Sequence, residues 1–328
     1  MGHRMSLLYP NVLVLGGSGF VGSHVIAQLV ASGRRVIVPT RRASRAKQLS
    51  VLPTVEVVQA DIHQDAALAA LMQRADAVIN LVGVLHSRRA QGGAAYGPDF
   101  ARAHVDLPQR VAAACVTNKV YRCLHMSALG ADVNGPSMYL RSKAAGEAQA
   151  MSQPQIATTI FRPSVVFGQG DAFLNLFAQL QRWFPVLPLG GADARFQPIF
   201  VEDVARAFVH ALGNQNTFGK TYELAGPKVY TLRELVQLAG RYAGHPRPVI
   251  GLPAGLARLQ ALFLELAPGG PIMSRDNLDS MKKDNVAQAP IDPELGIVPE
   301  PLEAIAAQYL GEAGASSHFD QYRVRAKR

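Results

Sequence analysis

Gly16-Gly17-Ser18-Gly19-Phe20-Val21-Gly22 lies between the apolar run at residues 12–15 and a segment, residues 19–31, whose apolar side chains recur at helical spacing. A glycine-rich loop joining a buried strand to a helix near the start of a chain is the mark of a dinucleotide-binding fold. Small residues at 16, 19 and 22 let backbone amides approach a pyrophosphate and let the helix pack close to the strand. The helix N-terminus adds N–H groups and a partial positive charge toward the phosphates. This pattern assigns Gly16, Gly19, Phe20, Val21 and Gly22 to cofactor contact.

Outward from that loop the strand pattern repeats at residues 36–38, 55–58, 77–82, 122–126 and 158–161, with helical patterns at 66–73, 100–117 and 138–151 between them. Such alternation implies right-handed crossovers and a parallel sheet covered on both faces. The expected fold class is α/β, a Rossmann-type doubly wound parallel sheet with a smaller, interleaved C-terminal substrate region. After Arg162-Pro163 proline and glycine become frequent, and helices are expected at 173–183, 201–212, 232–242 and 301–310. Residues 1–165 are read as the nucleotide-binding domain, with 198–230 returning to it, and 166–197 and 231–328 as the smaller region. No internal repeat or low-complexity tract is present.

The end of the second strand decides which cofactor is favoured. An NAD site places an acidic residue there to accept from the ribose 2′-hydroxyl. This chain reads Val38-Pro39-Thr40-Arg41-Arg42, with no Asp or Glu between Arg34 and Ser50. Arg41, Arg42 or Arg45 suits a 2′-phosphate through charge-assisted hydrogen bonds, so NADP(H) is favoured over NAD(H), with a solvated basic turn as the plain alternative. Asp61-Ile62 after the third strand and Asn80-Leu81-Val82-Gly83 after the fourth are placed to line the adenine and nicotinamide crevice.

Tyr139 and Lys143 are four residues apart and share a helix face. Ser127 closes the fifth strand, and Ser137 suits an N-cap for the helix that carries the pair. A free tyrosine titrates near ~10, and bringing that to about 7 takes roughly 4 kcal/mol of differential stabilisation. Lys143, with the positive charge of an oxidised nicotinamide, suits that task. Tyr139 would exchange a proton with a substrate oxygen that Ser127 orients, and Lys143 would also hold the nicotinamide ribose. Arg162, with Ser164 two residues on, is read as facing the substrate. Tyr and Lys at this spacing also occur by chance on ordinary helices.

The glycine loop, Asp61, Asn80, Ser127, Tyr139 and Lys143 together resemble the short-chain dehydrogenase/reductase superfamily, in its extended epimerase/dehydratase branch. A longer series runs from Ser137-Met138-Tyr139-Leu140-Arg141-Ser142-Lys143-Ala144-Ala145-Gly146-Glu147 through Phe161-Arg162-Pro163-Ser164 to Gln197-Pro198-Ile199-Phe200-Val201-Glu202-Asp203. It is similar to an atypical subgroup that contains the NADPH-binding accessory subunit of respiratory complex I and quinone-biosynthesis proteins. The likeness covers about the first two-thirds of the chain and finds little beyond Ile250. It implies two functions: an NADP(H)-dependent oxidoreductase or epimerase, or a nucleotide-bound accessory protein without turnover. The short serine–tyrosine interval argues against a nucleotide-sugar substrate.

Composition bounds the rest. The chain has 328 residues, 48% hydrophobic and 17% charged, with a net charge of +9. That is globular, and the basic residues form no aromatic-interleaved stripe, so nucleic acid is not an expected partner. Cys115 and Cys123 form neither a disulfide framework nor a metal spacing, which favours a reduced, cytoplasmic interior and no metal. Pro10 and Asn11 break the N-terminal apolar run, so no signal peptide is expected. Leu252, Leu256, Leu259, Leu262, Phe263 and Leu266 recur at helical spacing. They either pack on their own domain, cover an apolar substrate or lie in a membrane interface, where the basic tail Arg323–Arg328 would add attraction. Expected partners are a small-molecule substrate and, through this surface, a membrane or respiratory complex.

Overall fold

The computed structural model describes residues 8–267 and 273–311; the tail Arg323–Arg328 weighed above lies outside the described residues. Two compact units are present, each built from separated segments. The first takes residues up to Pro163, then Glu202–Leu224 and Ile291–Ile297; the second takes Ser164–Val201, Ala225–Pro290 and the residues from Val298 onward. Elements are numbered along the chain.

In the first unit a seven-stranded parallel sheet runs in the order β11-β6-β5-β4-β1-β2-β3. Its strands are β1 Asn11–Leu15, β2 Arg35–Thr40, β3 Val55–Gln59, β4 Ala77–Asn80, β5 Arg122–Met126, β6 Ala157–Pro163 and β11 Thr221–Leu224. The helices are α1 Phe20–Ala31, α2 Asp65–Met72, α3 Pro98–Phe100, α4 Leu107–Thr117, α5 Met138–Ala150 and α7 Val201–Gly213. Between α3 and α4 the chain makes a turn of π-helix, Ala101–Asp106. Val12, Leu13, Val14 and Leu15 are all buried, because helices cover both faces and a strand so placed reads as an unbroken apolar run. Helix α1 buries Gly22, Val25, Ile26 and Leu29. β1 lies between β2 and β4, so strand addition reverses there, and the crevice beyond the carboxyl ends of β1 and β4 is the switch point of the sheet.

Strand β4 stops at Asn80, short of the expected Val82. Asn80 Oδ1 accepts from the Val82 N–H at 3.2 Å, a side-chain-to-backbone turn that takes the amide out of the ladder. Arg122, fully buried at the start of β5, donates to the carbonyls of Ala211, Leu212 and Ala157 and to the hydroxyls of Thr159 and Thr217. Two of these carbonyls end α7, whose negative pole faces the guanidinium; burial holds Arg122 down at about 10. Cys115 and Cys123 are buried free thiols, and burial pushes Cys123 up to about 12, so neither is poised to react.

The second unit holds three two-stranded pairs: β7 Val166–Phe167 with β10 Ile199–Phe200, β8 Leu187–Gly190 with β13 Val249–Leu252, and β9 Arg195–Phe196 with β12 Tyr230–Thr231. Its helices are α6 Leu174–Trp183, α8 Leu232–Tyr242, α9 Ala254–Glu265, α10 Arg275–Ser280 and α11 Leu302–Leu310. Phe167, Leu174, Tyr230, Leu235, Leu302 and Ala306 form its main core. Asp171 Oδ1 caps α6 by accepting from the N–H groups of Phe173 and Leu174, and Thr231 with Glu234 forms a capping box on α8.

Of the three placements open to the apolar stripe, packing on its own domain is not the one adopted by most of its residues. Leu252 ends β13, and the helix begins only at Ala254, after Pro253. Helix α9 packs through the small residues Ala257 and Ala261, leaving Leu256, Leu259, Phe263 and Leu266 outward; Phe263 is 67% exposed and Leu266 75%. Among the described residues no helix is long and apolar enough to cross a membrane.

Candidate functional site

Gly16 closes β1 with φ +79°, a left-handed conformation that glycine adopts without strain. A Cβ there would stand 3.0 Å from the backbone of Leu81 and Val82, so the loop passes directly under the end of β4. A Cβ on Gly22 would lie 2.5 Å from the Gly16 oxygen, so the first turn of α1 presses against the loop. Gly19 is the N-cap of α1 and offers no side chain to the first N–H groups. Glycine here leaves a cradle with room for an anion against backbone donors, which fits a pyrophosphate.

At the carboxyl ends of β2 and β3, Arg41 and Arg42 are exposed. The Ala60 N–H donates to the Thr40 carbonyl at 3.1 Å, and Asp61 Oδ1 accepts from the His63 N–H at 3.1 Å. Arg110 reaches the His63 carbonyl at 2.7 Å. Burial and the Arg102 charge hold His63 below the usual histidine range; Asp61 opposes them, and Arg41 and Arg110 add to them. Arg102 and Arg110, which the sequence did not single out, thus lie with Arg41 close enough to His63 to act on its charge.

Asn80 ends β4 with Leu81, Val82 and Gly83 after it, and Ser127 follows β5, the strand paired beside β4 in the sheet. Ser137 Oγ accepts from the Leu140 N–H at 3.1 Å and so caps α5, as its position before the helix suggested. One turn on, Lys143 Nζ donates to the Met126 carbonyl at 3.2 Å and stands 5.9 Å from the centre of the Tyr139 ring. Ser127 is buried, and its Oγ has no hydrogen-bond partner among the described residues. An unpaired hydroxyl at the end of a strand, next to the Tyr-Lys pair, fits an oxygen of a bound molecule. Phe100 and His104 meet the Tyr139 ring edge-on at 5.9 and 5.6 Å.

Two buried histidines surround this group, and the sequence reading named neither. His125 Nδ1 accepts from Asn80 Nδ2 at 3.2 Å, because Asn80 has already committed its oxygen to Val82. Burial, then the Lys143 charge, holds His125 down at about 3 and His104 at about 2, so both rings are neutral. Burial pushes Tyr139 up to about 12 and Lys143 down to about 8, the latter opposed by Glu147. The lowered tyrosine pKa that proton exchange requires is thus not supplied by Lys143 alone. A histidine within the apolar run Cys123-Leu124-His125-Met126 was the signal available for one of these rings.

Arg162 and Ser164, expected to face a substrate, each have partners within the protein. Arg162 gives both ends of its guanidinium to Glu147, at 2.7 and 2.6 Å, which raises its pKa. Ser164 belongs to the second unit and donates to Asn285 Oδ1 at 2.6 Å. Among the described residues no cluster of His, Cys, Asp and Glu is arranged to hold a metal.

A model of the NAD dependent epimerase/dehydratase family matches residues 12–225. The chain is 28% identical over 328 residues to the 40 kDa subunit of mitochondrial NADH-ubiquinone oxidoreductase from Neurospora crassa, covering 97% of this chain and 84% of that protein. The likeness therefore continues past Ile250, where the sequence motifs had run out. Ceramide reductase of Caulobacter vibrioides is 33% identical over 199 residues, 60% of this chain and 59% of that protein. Among solved structures, the UDP-glucuronic acid 4-epimerase of Bacillus cereus, crystallised with UDP-glucuronic acid and NAD, superposes with a TM-score of 0.68 at 19% identity, over 92% of this chain and 98% of that one. That last likeness is one of fold.

Proposed function

The chain belongs to the NAD dependent epimerase/dehydratase family, and from that premise we propose that it is an NADP(H)-dependent oxidoreductase acting on a carbonyl or hydroxyl of an apolar, quinone-like substrate. The observation that carries this reading is the unpaired, buried Ser127 hydroxyl beside Tyr139 and Lys143. Gly16, Gly19, Phe20, Val21 and Gly22 would hold the pyrophosphate, Asp61 and Ile62 the adenosine, and Asn80 to Gly83 with Lys143 the nicotinamide ribose. Arg41 and Arg42, with Arg102 nearby, favour a 2′-phosphate by charge.

Held by these residues, a dinucleotide would supply or take a hydride. Ser127 Oγ donates to the substrate oxygen and orients it. The Tyr139 hydroxyl holds the proton that this oxygen gains or loses. Lys143, charged at neutral pH, stabilises the phenolate side of that exchange. The Phe100 and His104 rings keep water from one side of the phenol.

A second reading is a nucleotide-bound accessory protein of a respiratory or quinone-handling assembly, without turnover. The similarity to a subunit of NADH-ubiquinone oxidoreductase favours it, as does a tyrosine held up at about 12. The outward apolar face of α9 suits either an assembly contact or peripheral attachment at the inner face of a membrane.

Titration of the purified protein with NADPH, NADP⁺, NADH and NAD⁺, after a check for copurified nucleotide, separates these readings. Exchangeable binding that favours NADP(H), with Tyr139→Phe keeping affinity but losing about 100-fold or more of turnover on a carbonyl and quinone panel, supports the enzyme. Nucleotide that survives purification, with Tyr139→Phe silent in cells, supports the accessory role. No binding refutes both.

A further inference from the structure

Three hydrogen bonds outside the Ser-Tyr-Lys group run in one line. The Val84 N–H donates to His104 Nε2 at 3.0 Å, His104 Nδ1 meets Ser142 Oγ at 2.8 Å, and Ser142 Oγ donates to the Tyr139 carbonyl at 2.7 Å. Each proton in the line is fixed by its neighbours. An amide can only donate, so Nε2 carries a lone pair; a carbonyl can only accept, so the serine hydrogen points at Tyr139. Ser142 Oγ then accepts from Nδ1–H. Only one neutral tautomer satisfies all three contacts.

We propose that His104 is a positioning residue, a strut that ties the Leu81–Val84 loop to helix α5 and thereby sets the distance between the Gly83 backbone and the Lys143 ammonium. The inference rests on the reading of this loop and Lys143 as the nicotinamide side of a dinucleotide site. Two further features show the strut to be built in. His104 lies in the turn of π-helix Ala101–Asp106, a local departure frequent at functional sites. Facing it, Gly146 of α5 comes so close that a Cβ would overlap the His104 carbonyl oxygen. The ring itself is stacked on Phe100 at 5.3 Å and meets the edge of Tyr139 at 5.6 Å. At the other end a Cβ on Gly83 would lie 3.3 Å from Lys143 Nζ and 3.7 Å from His104 Nε2, so loop, lysine and imidazole converge on one point. Burial keeps the ring uncharged, and a charged ring would lose the Val84 bond.

The two bonds can be separated by amide substitutions. His104→Gln places an amide oxygen near the position of Nε2 and keeps an acceptor for Val84, whereas His104→Asn keeps a donor near Nδ1 and leaves Val84 without one. Nitrogen-15 NMR of the wild-type protein at pH 6 should show a neutral ring protonated on Nδ1. Hydrogen exchange at the Val84 amide should accelerate about tenfold or more in His104→Asn and stay near wild type in His104→Gln. The dissociation constant for NADPH should follow the same split, weakening about tenfold in the asparagine variant alone, a change of about 1.4 kcal/mol. A merely structural ring would damage both variants alike. A ring protonated on Nε2, a charged ring at pH 6, or equal Val84 exchange in the two variants overturns the strut. Failure of the wild type to bind NADPH would overturn the dinucleotide reading, and the strut would still be judged by the tautomer and the Val84 amide.

Discussion

Lowering the pH from 7 to 5 acts on two rings that the fold keeps uncharged. His104 and His125 are 1% and 2% exposed, and burial with the Lys143 charge holds them at about 2 and about 3. In the unfolded chain a histidine titrates near ~6.5. Between that value and the folded ones the unfolded state binds more protons, so stability rises with pH across this window. It is intact above about 6.5 and is lost progressively as the pH falls below it. At pH 5 an unfolded ring is almost fully protonated and its folded counterpart is not, which corresponds to about 2 kcal/mol lost per ring relative to pH 7, or about 4 kcal/mol for the two. Lys143, at about 8 in the folded protein, is charged in both states throughout this window and adds no slope. His63, also shifted downward, adds in the same direction. Urea unfolding at pH 7, 6 and 5 followed by circular dichroism measures the loss, with an unchanged m value as the check on mechanism. His104→Gln should remove about half of the pH dependence, whatever it does to stability at pH 7. Equal wild-type stability at pH 5 and 7, or a variant with the full slope, would refute the assignment of two buried neutral imidazoles.

Replacing Arg41 and Arg42 together by alanine should weaken NADPH binding by about 10- to 100-fold while leaving NADH almost unchanged, read by fluorescence titration at fixed salt. Equal weakening of both nucleotides would place the arginines elsewhere than at a 2′-phosphate. Arg122→Ala removes the donor shared by the Ala157, Ala211, Leu212, Thr159 and Thr217 oxygens and should cost about 3 kcal/mol in urea unfolding, without changing nucleotide affinity in the folded fraction. Phe263→Glu, on the outward face of α9, should leave the melting temperature in place and reduce co-flotation with anionic lipid vesicles by about tenfold or more, since a buried phenylalanine contributes about 1.5–3 kcal/mol. Identical flotation of variant and wild type would remove the membrane from the reading of that face.

The sheet was legible because its central strands are covered on both sides. Val12–Leu15 and Ala77–Ile79 carry no polar residue to interrupt the pattern. The same property misplaced the end of β4, since Leu81 and Val82 are as apolar as the strand itself. The stop is made by the Asn80 side chain, a signal of hydrogen bonding and not of hydropathy. Strand β11 escaped notice as a strand, although the return of its segment to the sheet was expected. Thr221-Tyr222-Glu223-Leu224 is short and carries a charge, and it pairs along one side only. Ser127, Tyr139 and Lys143 could be named from spacing because their relation is local to one strand and one helix. His104 could not. Its role depends on a π-turn that no local pattern announces, and on Ser142, 38 positions away. For Arg162 the sequence showed a cation near the site but not the Glu147 carboxylate that holds it.

Synthesis of this chain passes through an awkward interval. When Pro163 has been made, six strands of the sheet are available, and the outermost, Ala157–Pro163, includes Ile160 and Phe161. Its partner, Thr221–Leu224, follows only after the first stretch of the second unit has been translated. Until then one row of backbone donors and acceptors on β6 is open to any extended segment that meets it. A ribosome paused within that interval, or a protease that cuts just beyond Pro163, leaves a fragment with a sticky flank and no means of covering it. The chain's exposure to edge-to-edge pairing is therefore greatest between those two points of its own manufacture.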